Sequence, residues 1–325
     1  MMMQYILIVL VAFAVTFFIT PRLIPRLIGH HLVGRDMNKE DQPEVPEMGG
    51  FAIIAGFVCG VLFFIGLGTF GSVSWINGFD LTSVLAGLST VLIMALVGIV
   101  DDLFVMRQSV KAMLPIFAAL PLMAVKAGYS VMAVPFFGQV DFGILYPLFL
   151  VPLAITGASN ATNMLAGFNG LEAGLGVVMC GTVGFIAYSV GSTEAAVISL
   201  AMLGALLAFL FYNWFPAKIL IGDVGTLSIG AVVATSVIVG NLETVGVILI
   251  TPFFLELVLK AKSRFQADSW CKIEGGKLVC PKPGEIFGWG RLVMHFSGGI
   301  SEAKLVGVLI LMEVVFGFIA VIVIL

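Results

Sequence analysis

Charge is what this sequence has least of. Asp, Glu, Lys and Arg together make up 11% of the 325 residues, against 60% hydrophobic, and the mean hydropathy is +1.14. A soluble domain carries roughly a quarter of its residues charged and cannot hide this much apolar surface in one core, so a soluble protein is excluded. Histidine and cysteine are scarce as well, with three and four residues. Cys59 and Cys180 lie in apolar runs, and Cys271 and Cys280 sit in a polar loop without zinc-like spacing, so reduced thiols are expected. His30 and His31 adjoin one polar loop and His295 another, which points to surface or interfacial roles. No Walker A loop, His-rich zinc pattern or Ser nucleophile elbow occurs, and no nucleic-acid partner is expected.

What is present instead are uncharged stretches of bilayer length: Met48 to Phe79, Leu81 to Val100, Ala173 to Thr193, Ala195 to Ala217 and Val224 to Leu242. Each meets the requirement of roughly 20 residues for crossing the hydrocarbon core as a helix. Long runs without β alternation favour helices over a barrel. The first run, Met1 to Thr20, has Arg22 and Arg26 after it rather than before it, the wrong polarity for a cleaved signal, and reads as the first membrane helix. The expected fold is all-α: a polytopic integral membrane protein forming one domain over residues 1–325, with about ten helices centred near residues 11, 59, 90, 118, 150, 181, 204, 231, 252 and 315.

The basic residues then sort by loop. Arg22, Arg26, Arg35 and Lys39 fall in the first loop, Arg107 and Lys111 in the third, and Lys218 in the seventh. Lys260, Lys262, Arg264, Lys272, Lys277, Lys282, Arg291 and Lys304 fall in or beside the ninth, a long loop at about 261–303. Lys126 alone lies in an even loop. The positive-inside rule therefore puts the odd loops in the cytosol and both termini outside. The same parity brings three further polar segments to the cytosolic face: Asp101-Asp102, Asn160-Ala-Thr-Asn163 and Gly222-Asp223.

Two adjacent carboxylates at a membrane boundary repel unless a cation offsets them. Lys111, ten positions after Asp101, would lie on another face of one continuous helix, whereas a turn around Arg107-Gln108-Ser109 could fold it back beside the pair. Alone, the pair also reads as an ordinary solvated loop. Asp223 is flanked by Gly222 and by Val224-Gly225, and an acid so near apolar residues is either functional or a helix cap. Asn160 and Asn163 share a helix face. Amide oxygens and carboxylates are hard donors suited to Mg²⁺, and together with a lysine and glycines they suit a Mg²⁺-bound diphosphate.

Four motifs occur in order: Gly34-Arg-Asp-Met-Asn-Lys39 with Val45-Pro-Glu-Met-Gly-Gly50; Val100-Asp-Asp102 with Lys111; Asn160 to Gly174; and Asn213-Trp-Phe-Pro216 with Ile221-Gly-Asp223. On these the sequence resembles the polyprenyl-phosphate N-acetylhexosamine-1-phosphate transferases, most closely their eukaryotic and archaeal dolichyl branch. Bacterial relatives usually carry aspartates where Ala166 and Asn169 stand, and the His-rich ninth-loop motif of the muramoyl-pentapeptide enzyme is absent. Two positions depart from the family pattern: Val105 replaces a frequent Asn, and Leu220 a common aromatic. The stretch from Ala267 to Ile300 matches poorly.

The resemblance implies a Mg²⁺-dependent enzyme, with Mn²⁺ as the alternative ion. It would transfer N-acetylglucosamine 1-phosphate from UDP-N-acetylglucosamine to a dolichyl-type polyisoprenyl phosphate, the opening step of lipid-linked oligosaccharide assembly for N-glycosylation. Asn163 and Asp223 would hold the metal. Asp101, Asp102 and Lys111 would be catalytic, with Asp101 and Asp102 positioning the acceptor phosphate and organising Lys111. Asn169 and Gly167 would contact the uracil, Asn160 would support the metal site, Met37 and Glu47 would wall the nucleoside pocket, and Arg264 would bind the sugar and diphosphate. The resemblance also implies a homodimer, in an archaeal cell membrane or the endoplasmic reticulum. Two other readings stand beside it: the same chemistry with another UDP-N-acetylhexosamine for a cell-surface polymer, and a cation-coupled transporter using Glu256 and Glu313.

Overall fold

A computed structural model of the chain describes residues 2–71, 79–104, 106–134, 138–263, 272–280 and 286–325. It is nearly all-α, and all ten positions expected to be helical are helical. Among the described residues, eight helices are long and apolar enough to cross a membrane: α1 (Met2–Gly29), α2 (Gly50–Phe70), α3 (Leu81–Phe104), α8 (Leu171–Val190), α9 (Thr193–Asn213), α10 (Gly222–Gly240), α11 (Glu243–Ala261) and α13 (Glu302–Ile324).

The other two are interrupted, and proline is the reason. The stretch around residue 118 is split into α4 (Gln108–Met113), α5 (Pro115–Ala118) and α6 (Leu120–Ala124), with Pro115 and Pro121 opening the second and third pieces. Proline lacks the amide N–H and its ring clashes with the carbonyl four residues back. Around residue 150 a π-helical turn, Tyr146–Leu150, leads into α7 (Val151–Met164), with prolines 147 and 152 near the two starts. A short helix, α12 (Trp289–Ser297), lies in the ninth connection.

Among the described residues, three antiparallel two-stranded hairpins depart from the all-helical expectation. They pair β1 (Val33–Arg35) with β2 (Glu44–Pro46), β3 (Val131–Val134) with β4 (Gly138–Asp141), and β5 (Lys272–Glu274) with β6 (Lys277–Val279). Each lies in a connection, where a short extended segment satisfies its backbone by pairing with its neighbour.

The bundle is organised around α10. Its apolar window is 83% buried, against 28% for α1 and 22% for α13, whose outer faces are left to lipid. Helix α3 packs on it closely enough that a Cβ at Gly98 would fall 2.5 Å from the Val224 Cα. Helix α7 approaches from another side, where the Thr162 hydroxyl donates to the Thr226 carbonyl at 2.8 Å. A central helix that touches both α3 and α7 carries their polar ends to one place.

The odd-numbered connections do meet at one end. Gly49 N–H donates to Leu220 O at 2.9 Å, Asn38 donates to Gly167 O at 2.6 Å, and Leu220 N–H donates to Pro46 O at 2.7 Å. The even ones meet at the other end, where Asp80 N–H donates to Glu194 at 2.6 Å and Tyr129 N–H to the Asn241 side chain at 2.7 Å.

Candidate functional site

The last turn of α3 carries Asp101 and Asp102, whose side chains do different things. Asp102 points at the start of α10, where its carboxylate accepts the N–H groups of Asp223 (2.8 Å) and Val224 (3.2 Å). Those amides have no partner inside their own helix, and a carboxylate there also faces the positive end of the helix dipole. Gly222 has φ +69°, a left-handed backbone that a side chain resists, and a Cβ there would sit 2.7 Å from the Asp102 carboxylate. This glycine lets the cap close.

Asp101 is 6% exposed and both its oxygens are engaged: Oδ1 accepts the Met106 N–H at 2.9 Å, and Oδ2 pairs with Lys111. Lys111 is brought there by the expected turn, with α3 ending at Phe104, Arg107 extended and α4 beginning at Gln108. Its ammonium also pairs with Asp223 Oδ2 at 2.6 Å. Lys111 thus bridges two acids more than a hundred residues apart in sequence.

Asp223 opens onto a cavity of about 610 Å³. Its walls come from the first loop (Gly34 to Met37, and Glu47), the fifth (Asn163 and Ala166 to Asn169, with Glu172) and the seventh (Asn213 and Leu220 to Asp223), with Thr226 beneath. Asn163 Oδ1 accepts the Thr226 hydroxyl at 3.1 Å, which fixes the amide against α10. Burial pushes the Glu47 carboxyl above its ordinary value; the Asp223 carboxylate adds to the rise and Lys111 opposes it.

Of the residues singled out in the sequence, Met37, Glu47, Asn163, Gly167, Asn169 and Asp223 line this cavity, and Asp101, Asp102 and Lys111 adjoin it through Asp223. Asn160 does not line it. Its amide donates to Ala112 O (3.1 Å) and Thr156 O (2.9 Å), tying α7 to the residue after Lys111. Asn169 lines the cavity but is 4% exposed, with Nδ2 donating to Asp36 at 3.0 Å and Oδ1 accepting the Ala217 N–H at 2.7 Å. Arg264 and Val105 lie outside the described residues. Leu220 takes its place in the wall as an aliphatic side chain.

Sequence reasoning passed over Asp36, Glu172, Asn213 and Thr226. Glu172 Oε1 accepts the Gly167 N–H at 2.7 Å and so shapes the glycine turn of the fifth loop. The signal was available, because Asp36, Glu172 and Asn213 all fall inside the four motifs. The two acids of the transporter reading lie apart from the cavity wall. Glu256 pairs with Lys260 at 3.6 Å and accepts the Trp289 N–H at 2.7 Å. Glu313 is fully buried with no hydrogen-bond partner among the described residues.

Lys111 pairs with two acids, Asp101 and Asp223, and the carboxyls of Asp102 and Glu47 lie within electrostatic reach of it, a concentration of acids beside which a cation would be favoured. Among the described residues no group of three His, Cys, Asp or Glu is arranged to hold a metal. Mg²⁺ does not need one: it is bound by one or two protein oxygens and takes the rest from phosphates and water. Asp223 and Asn163, two hard donors on the same cavity wall, fit that requirement.

Comparison with known proteins identifies the family. Residues 84–241 match the family described as glycosyl transferase family 4. The chain is 38% identical over 318 residues to a protein of Saccharolobus solfataricus provisionally named UDP-N-acetylglucosamine–dolichyl-phosphate N-acetylglucosaminephosphotransferase, covering 97% of this chain and 95% of that one. It is 28% identical over 307 residues to the Dictyostelium discoideum protein of that name, covering 81% and 72%. A phospho-N-acetylmuramoyl-pentapeptide-transferase of Clostridium perfringens is 33% identical over 189 residues, covering 58% and 56%.

Proposed function

Because the chain belongs to glycosyl transferase family 4, we propose that it transfers N-acetylglucosamine 1-phosphate from UDP-N-acetylglucosamine to a dolichyl-type polyisoprenyl phosphate in its membrane. The products are lipid-diphosphate-N-acetylglucosamine and UMP, the first step of lipid-linked oligosaccharide assembly. The observation that carries the reading is the Asp101–Lys111–Asp223 bridge at the edge of a polar cavity on a membrane bundle.

An acceptor phosphate oxygen attacks the sugar-bearing phosphorus of the donor, the bond to the inner phosphate breaks, and UMP leaves. A phosphate monoester has its second pKa near 6, so at pH 7 the acceptor is largely dianionic and needs no strong base. Asp101, with both oxygens engaged, acts by orienting Lys111 rather than by taking a proton. The Lys111 ammonium offsets charge on the phosphates in an in-line displacement. Asp102 holds the start of α10 so that Asp223 faces the cavity. Asp223 and Asn163 would hold Mg²⁺, which supplies Lewis-acid neutralisation of the diphosphate. Met37, Glu47 and the Gly167–Asn169 turn wall the nucleoside end. The weight of Lys and Arg in the odd loops supports a cytosolic-facing site, in an archaeal cell membrane or the endoplasmic reticulum, and the family resemblance supports a homodimer.

The test is UMP release by the purified chain. Release is expected with UDP-N-acetylglucosamine only when both a divalent cation and a polyprenyl phosphate are added, and Asp223→Ala should abolish it. Release without the lipid, or none with it, overturns the assignment. A panel of UDP-N-acetylhexosamines, with products read by mass, decides between this donor and a sibling sugar.

A further inference from the structure

The polar network around Asn169 reaches further than the cavity it borders. Glu302, the first residue of α13, is 4% exposed and yet carries a carboxylate. Its Oε1 accepts the Asn169 backbone N–H at 2.7 Å, and its Oε2 pairs with Lys39. Lys39 also pairs with Asp36 at 3.1 Å and lies over the Phe215 ring, 4.5 Å from its centroid. Asp36 accepts the Asn169 amide, Asn169 accepts the Ala217 N–H, and Asn38 donates to Gly167 O. Four separate stretches therefore meet: 36–39, 167–169, 215–217 and the start of α13.

Asp36, Gly167 and Asn169 line the cavity, whereas Lys39 and Glu302 stand behind them. Among the described residues no hydrogen bond or ion pair joins this network to Asp101, Asp102, Lys111 or Asp223. One cluster serves the phosphates and a second serves the wall. The start of α13 is itself held, because Ile300 exchanges backbone hydrogen bonds with Leu278 of β6 at 2.8 and 3.1 Å. The hairpin of the ninth connection, in a stretch that matches the family pattern poorly, thus has a task. It sets the backbone that presents Glu302.

Resting on the reading of the cavity as a nucleotide site, we propose that Glu302 is a positioning residue for the nucleotide donor. By holding both the Asn169 N–H and the Lys39 ammonium, it keeps the 36–39 and 167–169 walls at the spacing a uridine nucleotide fills. It takes no part in group transfer. Walls fixed in advance need not be ordered at the moment of binding, so the benefit falls on donor affinity rather than on turnover.

The experiment uses the full chain in detergent, with UDP as calorimetric probe and UMP release for kcat and both KM values. Glu302→Ala is expected to weaken UDP binding about tenfold and raise donor KM to match, with kcat within about twofold and acceptor KM unchanged. Glu302→Gln keeps an acceptor oxygen for Asn169 but loses the charge facing Lys39, and should cost less, about threefold. Lys39→Met should also weaken binding, and the double variant with Glu302→Gln should lose less than the product of the two effects. If Glu302→Ala fails to fold, the Gln variant and the double-mutant cycle carry the test. Unchanged UDP binding in folded variants, a fall in kcat with binding intact, or fully multiplicative effects overturn the proposal. Wild-type protein that binds no UDP overturns the nucleotide reading itself; wild-type binding matched by the variants overturns only this inference.

Discussion

Lys111 stands between two carboxylates that would otherwise face each other at the edge of a low-dielectric bundle, and its removal leaves both without a counter-charge. Breaking a buried pair from one side typically costs about 3–5 kcal/mol. Lys111→Met is therefore expected to lower the melting temperature and to eliminate UMP release; normal turnover in that variant would remove Lys111 from the chemistry. Glu47 offers a test by pH. Its carboxyl is raised above the unfolded value of about 4.3, so the folded chain holds this proton more tightly than the unfolded one. Its contribution is most favourable at low pH and is lost as pH rises through the raised value. Glu47→Gln should then gain thermal stability over wild type at pH 8 relative to pH 5, and a pH-independent difference in melting temperature would contradict the assignment. At this scale Asp223, Asn163 and the Asp101–Asp102 pair are legible in the sequence as candidates, because charge at the end of an apolar run is costly unless paired, although a solvated loop or a helix cap accounts for any one of them alone. Glu302 is not legible, since an acid in the first turn of a helix reads as an ordinary dipole partner. Only its contact with Asn169, 133 residues away, shows otherwise.

Among the elements, α10 does most to assemble the site, and its contact with α3 is the most exacting. Gly98 lies one turn before Asp101, and a Cβ there would meet Val224 Cα at 2.5 Å and Asp223 O at 2.6 Å. Both are backbone atoms, which cannot swing aside. Gly98→Ala is expected to push the helices apart, to cost about 1–3 kcal/mol in stability, and to slow turnover by about 10²-fold through misplacement of Asp101 and Lys111 against Asp223. Wild-type turnover in a Gly98→Ala protein would mean that the approach of α3 to α10 does not set the geometry. Helix positions are readable from apolar runs alone, because lipid demands internal backbone pairing and a minimum length. The breaks in the fourth and fifth segments follow from prolines 115, 121, 147 and 152, which were visible but whose effect depends on how neighbouring helices re-satisfy the freed backbone. The three hairpins escape sequence reading because strands of three or four residues are too short to show alternation.

For the molecule as a whole, the sorting of odd and even connections to opposite ends turns a charge count into a geometric claim. Labelling with a membrane-impermeant thiol reagent, in a background with Cys271 and Cys280 replaced by serine, checks which end faces the cytosol. Lys218→Cys is expected to react only after the membrane is opened, and Tyr129→Cys in intact cells; the reverse pattern would invert the orientation. The sequence alone determines that this chain is a membrane-spanning helical bundle and which of its ends is polar, because the transfer cost of backbone and charge is local and adds residue by residue. The partnerships were decided only by tertiary structure: Asp102 caps the start of α10, Asn160 ties α7 to the Ala112 carbonyl of α4, and the amide of Asn169 serves Asp36 and Ala217. A hydrogen bond depends on which acceptor comes within 3 Å of which donor. That is set by the packing of helices far apart in sequence, and no local property of either residue encodes it.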